Sequence, residues 1–461
     1  MRLITKITIK NNNNMYKRLL LMLALVVTAI GMKAQSAEGS LLLSLDDCIR
    51  IALNENPTIK VAQMEIERVD YSKKEALGQL LPEVNFSGQY TRNLALQTIY
   101  MDAGDGQTRA IKMGRDNTYT TGFSASIPLV MPQLWKSLKL SDNQILQNME
   151  AARASKIDLV NQVKNSYYSL LLANDSRRVI EENHETAKLN ADIFAKKYEL
   201  GVASEYDMLR ANVAVTNLEP SILEAENSIN QLKLQLKLLM GMDARIAIEP
   251  SQTLDDFKGS MYEHALVDTS LVNNTAMKSL DLQTDYLQKA LETQKAAWWP
   301  TLTGSASLMW NSMSNGNPFK DFMWSKSSAV GLTLAVPLFQ GGRRYYKQKQ
   351  AEIAVREMKW QRENLERSLH VQVQNEIDNI NKSLKQIETN EGGMRQAVKA
   401  NEIMQKSFKI GSGTFIQLRD TEDALMSAKL AYYQAIYNFL IAESNLEHVL
   451  GNAPINQYTS K

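Results

Sequence analysis

A short strand that runs directly into a very long helix occurs twice in this sequence, and few folds can contain such a unit. Residues 328–337 alternate apolar with small or polar side chains, a period of two that predicts a strand ending at Pro337. After it, a charged helical pattern continues without a proline as far as Pro454. Residues 118–128 alternate in the same way, end at Pro128, and lead into a second long helical run. This pairing weighs against an ordinary α+β domain.

The two units belong to a duplication of most of the chain. Residues 53–57 are echoed by residues 271–275, and Leu81-Pro82 by Trp299-Pro300, at the same offset of 218. After the strand region the offset becomes 210, which aligns the glycines that end the long helical patterns. Two constant offsets on either side of one loop-length change predict a duplicated unit. The expected divisions are a first repeat at 37–250, a connecting segment at 251–268, a second repeat at 269–452 and a tail at 453–461.

Each repeat is expected to hold two strands of about 9 to 11 residues with very few charges. The strands are predicted at about 82–92, 118–128, 300–310 and 328–337, with strand–helix junctions marked by Pro82, Pro128, Pro300 and Pro337. Residues 94–117 read as a polar loop. The strand length matches that of tilted transmembrane β-strands.

Aromatic residues are grouped at both ends of the predicted strands. Trp135, Trp298 and Trp299 lie at the ends next to the helices. Trp310 and Trp324 lie near the loop ends, together with Tyr90 and Phe322. Two such groups predict two interfacial girdles of a membrane barrel, although simple packing explains any single tryptophan equally well.

Four strands cannot close a transmembrane barrel. Each unpaired backbone group at an open sheet edge costs about several kcal/mol in lipid, because its hydrogen bond is not made. Closed membrane barrels have at least about eight strands. The chain is therefore expected to oligomerise through its strands, with two copies as the minimum that this argument sets.

The composition and the amino-terminal segment limit the possible partners and the cellular location of the protein. Lys+Arg 52 against Asp+Glu 50 leaves a balanced charge that gives no argument for nucleic acid. Cys48 is the only cysteine, so no intrachain disulfide or cysteine metal site is expected. Residues 1–36 predict a signal peptide, with a basic Lys17-Arg18 pair before the apolar run 19–30. Met15 is an alternative start, and a membrane anchor is disfavoured because the apolar run is short.

The chain resembles the TolC family of outer membrane efflux proteins over nearly all of the expected mature sequence. The motifs that carry this are A-L-x-x-N-P at 52–57, the strand openings at Pro82 and Pro300, V-P-L-F-Q-G-G-R at 336–343, the helix-tip glycines, and L-G at 450–451. The resemblance implies a mainly α-helical fold with transmembrane β-strands and a homotrimer. Three chains would share a 12-stranded barrel that continues into a coiled-coil α-barrel in the periplasm.

The resemblance also implies a function and partners. The trimer would serve efflux of small molecules or type I secretion. Its partners would be outer membrane lipid, a periplasmic adaptor and an inner-membrane pump of the RND, ABC or MFS type. The family narrows its tube at the helix tips, which here correspond to Gly201 and Gly411.

The resemblance assigns the constriction positions of the family to individual residues of this chain. Asp420 matches one acidic ring position, Gln417 occupies the other, and Asp207 is the acidic position of the first tip. Phe408 stands at a latch tyrosine, and Gly413 replaces a basic latch residue, so the gate location transfers but its locking contacts do not.

No enzyme chemistry is predicted. The four histidines are far apart in sequence, the segment 102–106 lacks the ligand spacing of a calcium loop, and no cofactor or metal site is expected. The alternative to a channel is a periplasmic adaptor or coiled-coil scaffold with a soluble sheet. Adaptors have long helical hairpins but lack a whole-chain duplication with two membrane-length strand pairs.

Overall fold

The computed structural model describes residues 40–102, 108–259, 269–317, 320, 323–453, 455 and 458. The predicted signal peptide at 1–36 lies outside the described residues, as do Phe322, His264 and most of the tail. The connecting segment is described only up to residue 259.

The first half of the chain contains the following elements: β1 (Leu41–Leu43), α1 (Leu45–Glu55), α2 (Pro57–Gly78), β2 (Glu83–Arg92), β3 (Gln97–Asp102), β4 (Thr108–Met113), β5 (Asn117–Val130), α3 (Pro132–Glu199), α4 (Glu205–Thr216), α5 (Glu219–Met240) and β6 (Ile248–Pro250). The second half contains two short 3-10 turns (Leu254–Phe257 and Leu271–Asn273), α6 (Thr275–Ala296), β7 (Thr301–Ser314), β8 (Trp324–Ala335), α7 (Arg343–Lys409) and α8 (Phe415–Leu450).

Two helices dominate the molecule. Helix α3 has 68 residues and α7 has 67, which at 1.5 Å per residue is about 100 Å each. Helix α3 packs against α2 and α6 on the side of the sheet, and against α4, α5 and α8 in its other half. Helix α7 packs in the same manner against α6 and α8. Each long helix is thus matched by two shorter ones placed end to end.

The strands β2, β5, β7 and β8 form one antiparallel sheet in that order. The observed strands have 10, 14, 14 and 12 residues, so three exceed the predicted length. Pro128 does not end its strand, contrary to expectation. Strand β5 continues to Val130 through a register shift against β7, because a bulge accommodates a residue that lacks a ladder N–H. At the fourth strand, β8 already ends at Ala335, two residues before Pro337.

The prediction of a loop over residues 94–117 was wrong. Strands β3 and β4 pair there as an antiparallel hairpin with Ile99 opposite Ile111. Two turns separate this hairpin from the main sheet, and Asn93 N donates to Asp116 O across them at 2.7 Å. The many polar side chains around it conceal the alternation on which a strand prediction depends.

The returning helix of the first half is interrupted beside Pro220. Helix α4 ends at Thr216, α5 begins at Glu219, and Pro220 lies in the first turn of α5. Proline is tolerated there because the first helical N–H groups have no partner within the helix.

The main apolar core lies near the middle of the long helices, beside the short parallel pair β1–β6. Fully buried side chains of α1, α3, α5 and α8 meet there, including Cys48, Tyr167, Leu236 and Phe439. The hydroxyl of Tyr167 donates to the carbonyl of Leu43 at 3.0 Å. The core therefore fixes the position of α3 and α8 half-way between the sheet and the helix tips.

One contact is present in both halves of the chain. Asn56 caps α2 and its Nδ2 donates to Leu239 O at 2.8 Å, beside the left-handed Gly241. Asn274 caps α6 and its Nδ2 donates to Val449 O at 2.6 Å, beside the left-handed Gly451. Both asparagines are buried.

The glycines are required by this close approach. A Cβ at Gly241 would lie 2.8 Å from Glu55 O, and one at Gly451 would lie 2.1 Å from Asn273 O. The sequence echo therefore corresponds to a repeated three-dimensional contact.

Candidate functional site: the open sheet and the helix tips

The register of the sheet separates two chemically different faces. One face has Val84, Phe86, Phe123, Leu308 and Val330 in adjacent register positions. The opposite face has Ser87, Ser124, Ser305, Ser307 and Thr333. Val330 is 88% exposed and Phe86 65% exposed, so within the described residues nothing covers the apolar face.

The two outer strands of the sheet each have one bonded neighbour. Strand β2 pairs only with β5, and β8 only with β7, among the residues that the structure describes. Each therefore presents one row of backbone N–H and C=O groups without a strand partner in this chain. An exposed strand edge is a template for pairing with another chain.

The three tryptophans predicted at the helix side of the sheet lie next to helix ends. Trp135 is in the first turn of α3, and Trp298 and Trp299 follow the end of α6. All three are substantially exposed. The guanidinium of Arg344 lies 5.5 Å from the ring centroid of Trp298.

At the loop side of the sheet, the two tryptophans occupy different positions along their strands. Trp324 is the first residue of β8, but Trp310 lies four residues before the end of β7. Its ring centroid is 6.4 Å from that of Phe123 in an edge-on arrangement. Trp310 is therefore part of the apolar face rather than its outer margin, because β7 ends four residues later than predicted.

The junction prolines have three kinds of position, of which Pro337, two residues after β8, is one. Pro82 and Pro300 stand immediately before β2 and β7, where the strands begin. Pro128 lies within β5, and the residue that opens the following helix is Pro132, at its first position. Sequence analysis did not single out Pro132, although proline at the first helical position is a recognised start signal.

The two helix tips have the same backbone design. Gly201 has φ +71° and Gly411 has φ +77°, a region that side chains other than glycine rarely adopt. Val202 N donates to Lys197 O at 2.8 Å, and Ser412 N donates to Ser407 O at 3.0 Å. These bonds end the long helices so that the chain can return.

The predicted constriction residues Asp207 and Gln417 occupy equivalent positions in the two tips. The Ser204 hydroxyl lies 2.7 Å from Asp207 Oδ2 and accepts from Asp207 N at 3.1 Å. In the second tip, Thr414 N donates to Gln417 Oε1 at 3.1 Å, and Gln417 N donates to Thr414 Oγ1 at 3.3 Å. Both side chains therefore help to start the returning helix.

Asp420 is placed differently. It lies three residues after Gln417, on the same exposed side of α8. Among the described residues it has no ion pair, whereas its neighbour Arg419 pairs with Asp423 at 2.8 Å. Asp420 is thus the acidic side chain of this tip that is presented outward without a local partner.

Phe408 belongs to an aromatic cluster that joins the two tips. Phe194 lies 4.5 Å from Phe415 and 5.9 Å from Phe408 between ring centroids. The Lys197 ammonium lies 5.0 Å from the centroid of Phe408. The tips are therefore packed together within one chain, through Phe194 and Phe415, which sequence analysis did not select.

Above this cluster lies a second feature that the sequence did not reveal, the buried carboxylate of Glu422. Its side chain is 3% exposed, and Asn190 Nδ2 donates to its Oε1 at 3.0 Å. Arg419 Nη1 is 3.8 Å from its Oε2. Burial is the main cause that raises the pKa of Glu422 above the usual range, against the opposing Asn190 hydrogen bond.

Other candidate chemistries do not converge in the described part of the chain. No group of three or more His, Cys, Asp or Glu side chains is placed there to bind a metal ion. His448 Nε2 lies 2.6 Å from Asp158 Oδ1 at the contact between α3 and α8. None of the described helices has an apolar stretch of the length and hydropathy that a membrane crossing needs.

Comparison with known proteins agrees with this geometry. The family model described as "Outer membrane efflux protein" matches residues 48–242 and 266–452. The outer membrane protein TolC of Escherichia coli K12 is 21% identical over 412 residues, covering 86% of this chain and 80% of TolC. The alkaline protease secretion protein AprF of Pseudomonas aeruginosa is 23% identical over 419 residues, covering 90% of this chain and 85% of AprF.

Solved structures have the same fold. The Campylobacter jejuni CmeC outer membrane channel superposes with a TM-score of 0.72 at 16% identity, covering 91% of this chain and 90% of CmeC. The open state of the Neisseria gonorrhoeae MtrE outer membrane channel has a TM-score of 0.68 at 18% identity, covering 88% of both chains. Since the family model matches both halves of the sequence, this chain belongs to the outer membrane efflux protein family.

Proposed function

We propose that three copies of this chain form a passive channel in the outer membrane that extends far into the periplasm. Each copy contributes β2, β5, β7 and β8 to a 12-stranded barrel, and its helices to an α-barrel below. The observation that carries the proposal is the four-stranded sheet, with an apolar face and two unpaired edges. In lipid such edges are stable only when other copies pair with them.

The faces of the sheet assign its inside and outside. The apolar face with Val84, Phe86 and Val330 contacts lipid, and the face rich in serine and threonine lines the pore. The tryptophans at the helix side sit at the periplasmic interface. Arg344, held next to Trp298, is suited to the lipid phosphates of that leaflet.

The helix tips form the narrow end of the tube. Three copies of Asp420, with Gln417 one turn before it and Asp207 on the first tip, surround the entrance. Three like charges about 6 Å apart in water repel by roughly 0.7 kcal/mol per pair. Such a ring favours cations at the entrance.

The channel works with a periplasmic adaptor and an inner-membrane pump, which supply the energy and select the cargo. The names of the relatives include a protease secretion protein and an antibiotic efflux pump outer membrane protein, so a secreted polypeptide and small molecules are both cargo classes of similar chains. Exposed apolar side chains at the tips are available to the adaptor: Leu200 at 78%, Val202 at 72% and Ile410 at 81% exposure. No reaction is assigned to the chain itself.

Fractionation of cells that express the protein tests the proposal. We expect it in the outer membrane fraction, extracted by detergent as a trimer that resists dissociation at moderate temperature. The matched condition is a high-salt wash, which releases peripheral proteins and leaves barrels in place. Release of a monomer by salt alone would support the periplasmic adaptor or scaffold instead.

A further inference from the structure

We propose that Glu422 is a protonation-operated latch that holds α8 against α3 immediately above the helix tips. The latch regulates the tip of the channel proposed above and rests on that function. When Glu422 is protonated, α8 stays on α3 and the tip is closed. When it is ionised, α8 is released together with Asp420 and Gln417, and the tip opens.

Glu422 lies where the contact between α3 and α8 changes from aromatic to polar side chains. Below it, Phe415 of α8 packs on Phe194 of α3. One turn of α3 higher, Asn190 reaches Glu422 at 3.0 Å, so the two aromatic and two polar side chains follow the same helix–helix seam. The second carboxylate oxygen, Oε2, has no hydrogen-bond partner among the described residues.

Glu422 also lines a cavity of about 110 Å³ between α3, α7 and α8. Its other described lining residues include polar ones, such as Asn183, Thr186 and Asn401, and apolar ones, such as Met426. The volume and polarity suit a few water molecules. A carboxylate at its wall therefore has a place from which water can hydrate it once it carries charge.

The charges around Glu422 do not neutralise it. On α8, Arg419 is 3.8 Å away but is bound more closely to Asp423, at 2.8 Å. Across the cavity, Glu182 of α3 and Lys429 of α8 pair with each other at 2.6 Å. Helix α7 contributes Asn401 and no charged side chain to the described lining. The ionised form of Glu422 is thus an incompletely compensated charge at the helix contact.

The direction of the effect follows from linkage. The closed seam, where Glu422 is buried and its pKa is raised, binds the proton more tightly than an open, hydrated seam. Falling pH therefore favours the closed state and rising pH favours the open one. The opening constant changes about tenfold for each pH unit that lies between the Glu422 pKa values of the open and closed states.

Hydrogen exchange of the purified trimer in detergent, measured from pH 4.5 to 7.5 and corrected for intrinsic rates, tests the latch without a transport assay. We expect protection of residues 415–426 and 187–194 to fall as pH rises in the wild type. Glu422→Gln, which is neutral at every pH, should stay protected throughout. Asp423→Asn removes a charge one residue away and frees Arg419 to approach Glu422, so it should keep a pH-dependent transition whose midpoint lies at lower pH.

A second variant moves the transition in a defined direction. Asn190→Ala removes the hydrogen bond that stabilises the ionised form, so the midpoint of the exchange change should shift to higher pH. A wild-type profile that is flat with pH, or a Glu422→Gln profile that still follows pH, would overturn the latch.

Bilayer conductance over the same pH range connects the latch to the channel. We expect conductance to rise with pH in the wild type and to stay low in Glu422→Gln. Failure of the wild type to conduct at any pH, with the exchange response intact, would count against the channel but not against the latch. Conductance of Glu422→Gln that rises with pH as in the wild type would refute the latch alone.

Discussion

At the scale of single residues, three polar side chains near the second helix tip have three different environments. Gln417 is held by the backbone N–H of Thr414, Glu422 is buried against Asn190, and Asp420 projects outward from the exposed side of α8. A cap residue contributes mainly to helix stability. A projecting carboxylate is available to ions in the entrance.

We expect Asp420→Ala to weaken block of the channel by multivalent cations in bilayer recordings. Removing three ring charges lowers the electrostatic attraction for a divalent or trivalent ion, and a loss of about 1.4 kcal/mol corresponds to about tenfold in the blocking concentration. Asp423→Asn, whose charge is paired with Arg419, is the charge-matched control and should leave the block unchanged. An unaltered block in Asp420→Ala would show that this side chain does not face the conducting path.

At the scale of elements, the strands decide which side of the sheet meets lipid. Val330 and Ala329 are adjacent in β8, both exposed, and on opposite faces. Val330 lies beside Ala306 in the apolar row, whereas Ala329 lies beside Ser307 in the polar row. The pair therefore reports the orientation of the sheet with substitutions of the same chemistry.

Val330→Lys should disrupt membrane assembly, and Ala329→Lys should not. A lysine on the lipid face near the membrane midplane costs about 2–4 kcal/mol per chain, while lumen positions tolerate charge. The yield of detergent-extracted, heat-resistant trimer measures the difference. Equal yields, or a greater loss in Ala329→Lys, would mean that the faces have been assigned the wrong way round.

At the scale of the whole molecule, closure depends on other copies. Strands β2 and β8 are separated by β5 and β7, so with strands about 4.8 Å apart they are roughly 14 Å from each other. A disulfide needs Cα atoms within about 7 Å. A bond between these strands can therefore form only between different chains.

Cysteine at Ser87 of β2, combined in turn with cysteine at Ser325, Ser327 or Ala329 of β8, should give covalent trimers in at least one combination. Each single variant should give none. The native thiol will not interfere, because burial raises the pKa of Cys48 to about 12 and leaves it protonated. Non-reducing gels provide the measurement. A ladder of bands that ends at dimers, or continues past trimers, would show that the assembly is an oligomer other than a trimer.

Much of the fold was predictable because it is recorded in local periodicity. Alternation over residues 328–337 located the strand now seen as β8, and the glycines at 201, 241, 411 and 451 located the ends of the helices. Two of the predicted strands nevertheless ended too early. For β7, the alternation becomes weak beyond Trp310, although the strand continues to Ser314. Pro128 was wrongly interpreted as the end of its strand, because only the pairing with β7 shows that a bulge accommodates this proline.

The sequence by itself determined the duplication, the four strands of the main sheet and the two long helices, because backbone periodicity is a property of neighbouring residues. Tertiary structure alone decided that Glu422 is buried beside Asn190, 232 positions away in the chain, and that Phe194, Phe408 and Phe415 form one cluster. In a sequence, Glu422 is one of many acids on a charged helix. Its environment depends on which distant helix packs over it, and that is set by the packing of α3, α7 and α8 together.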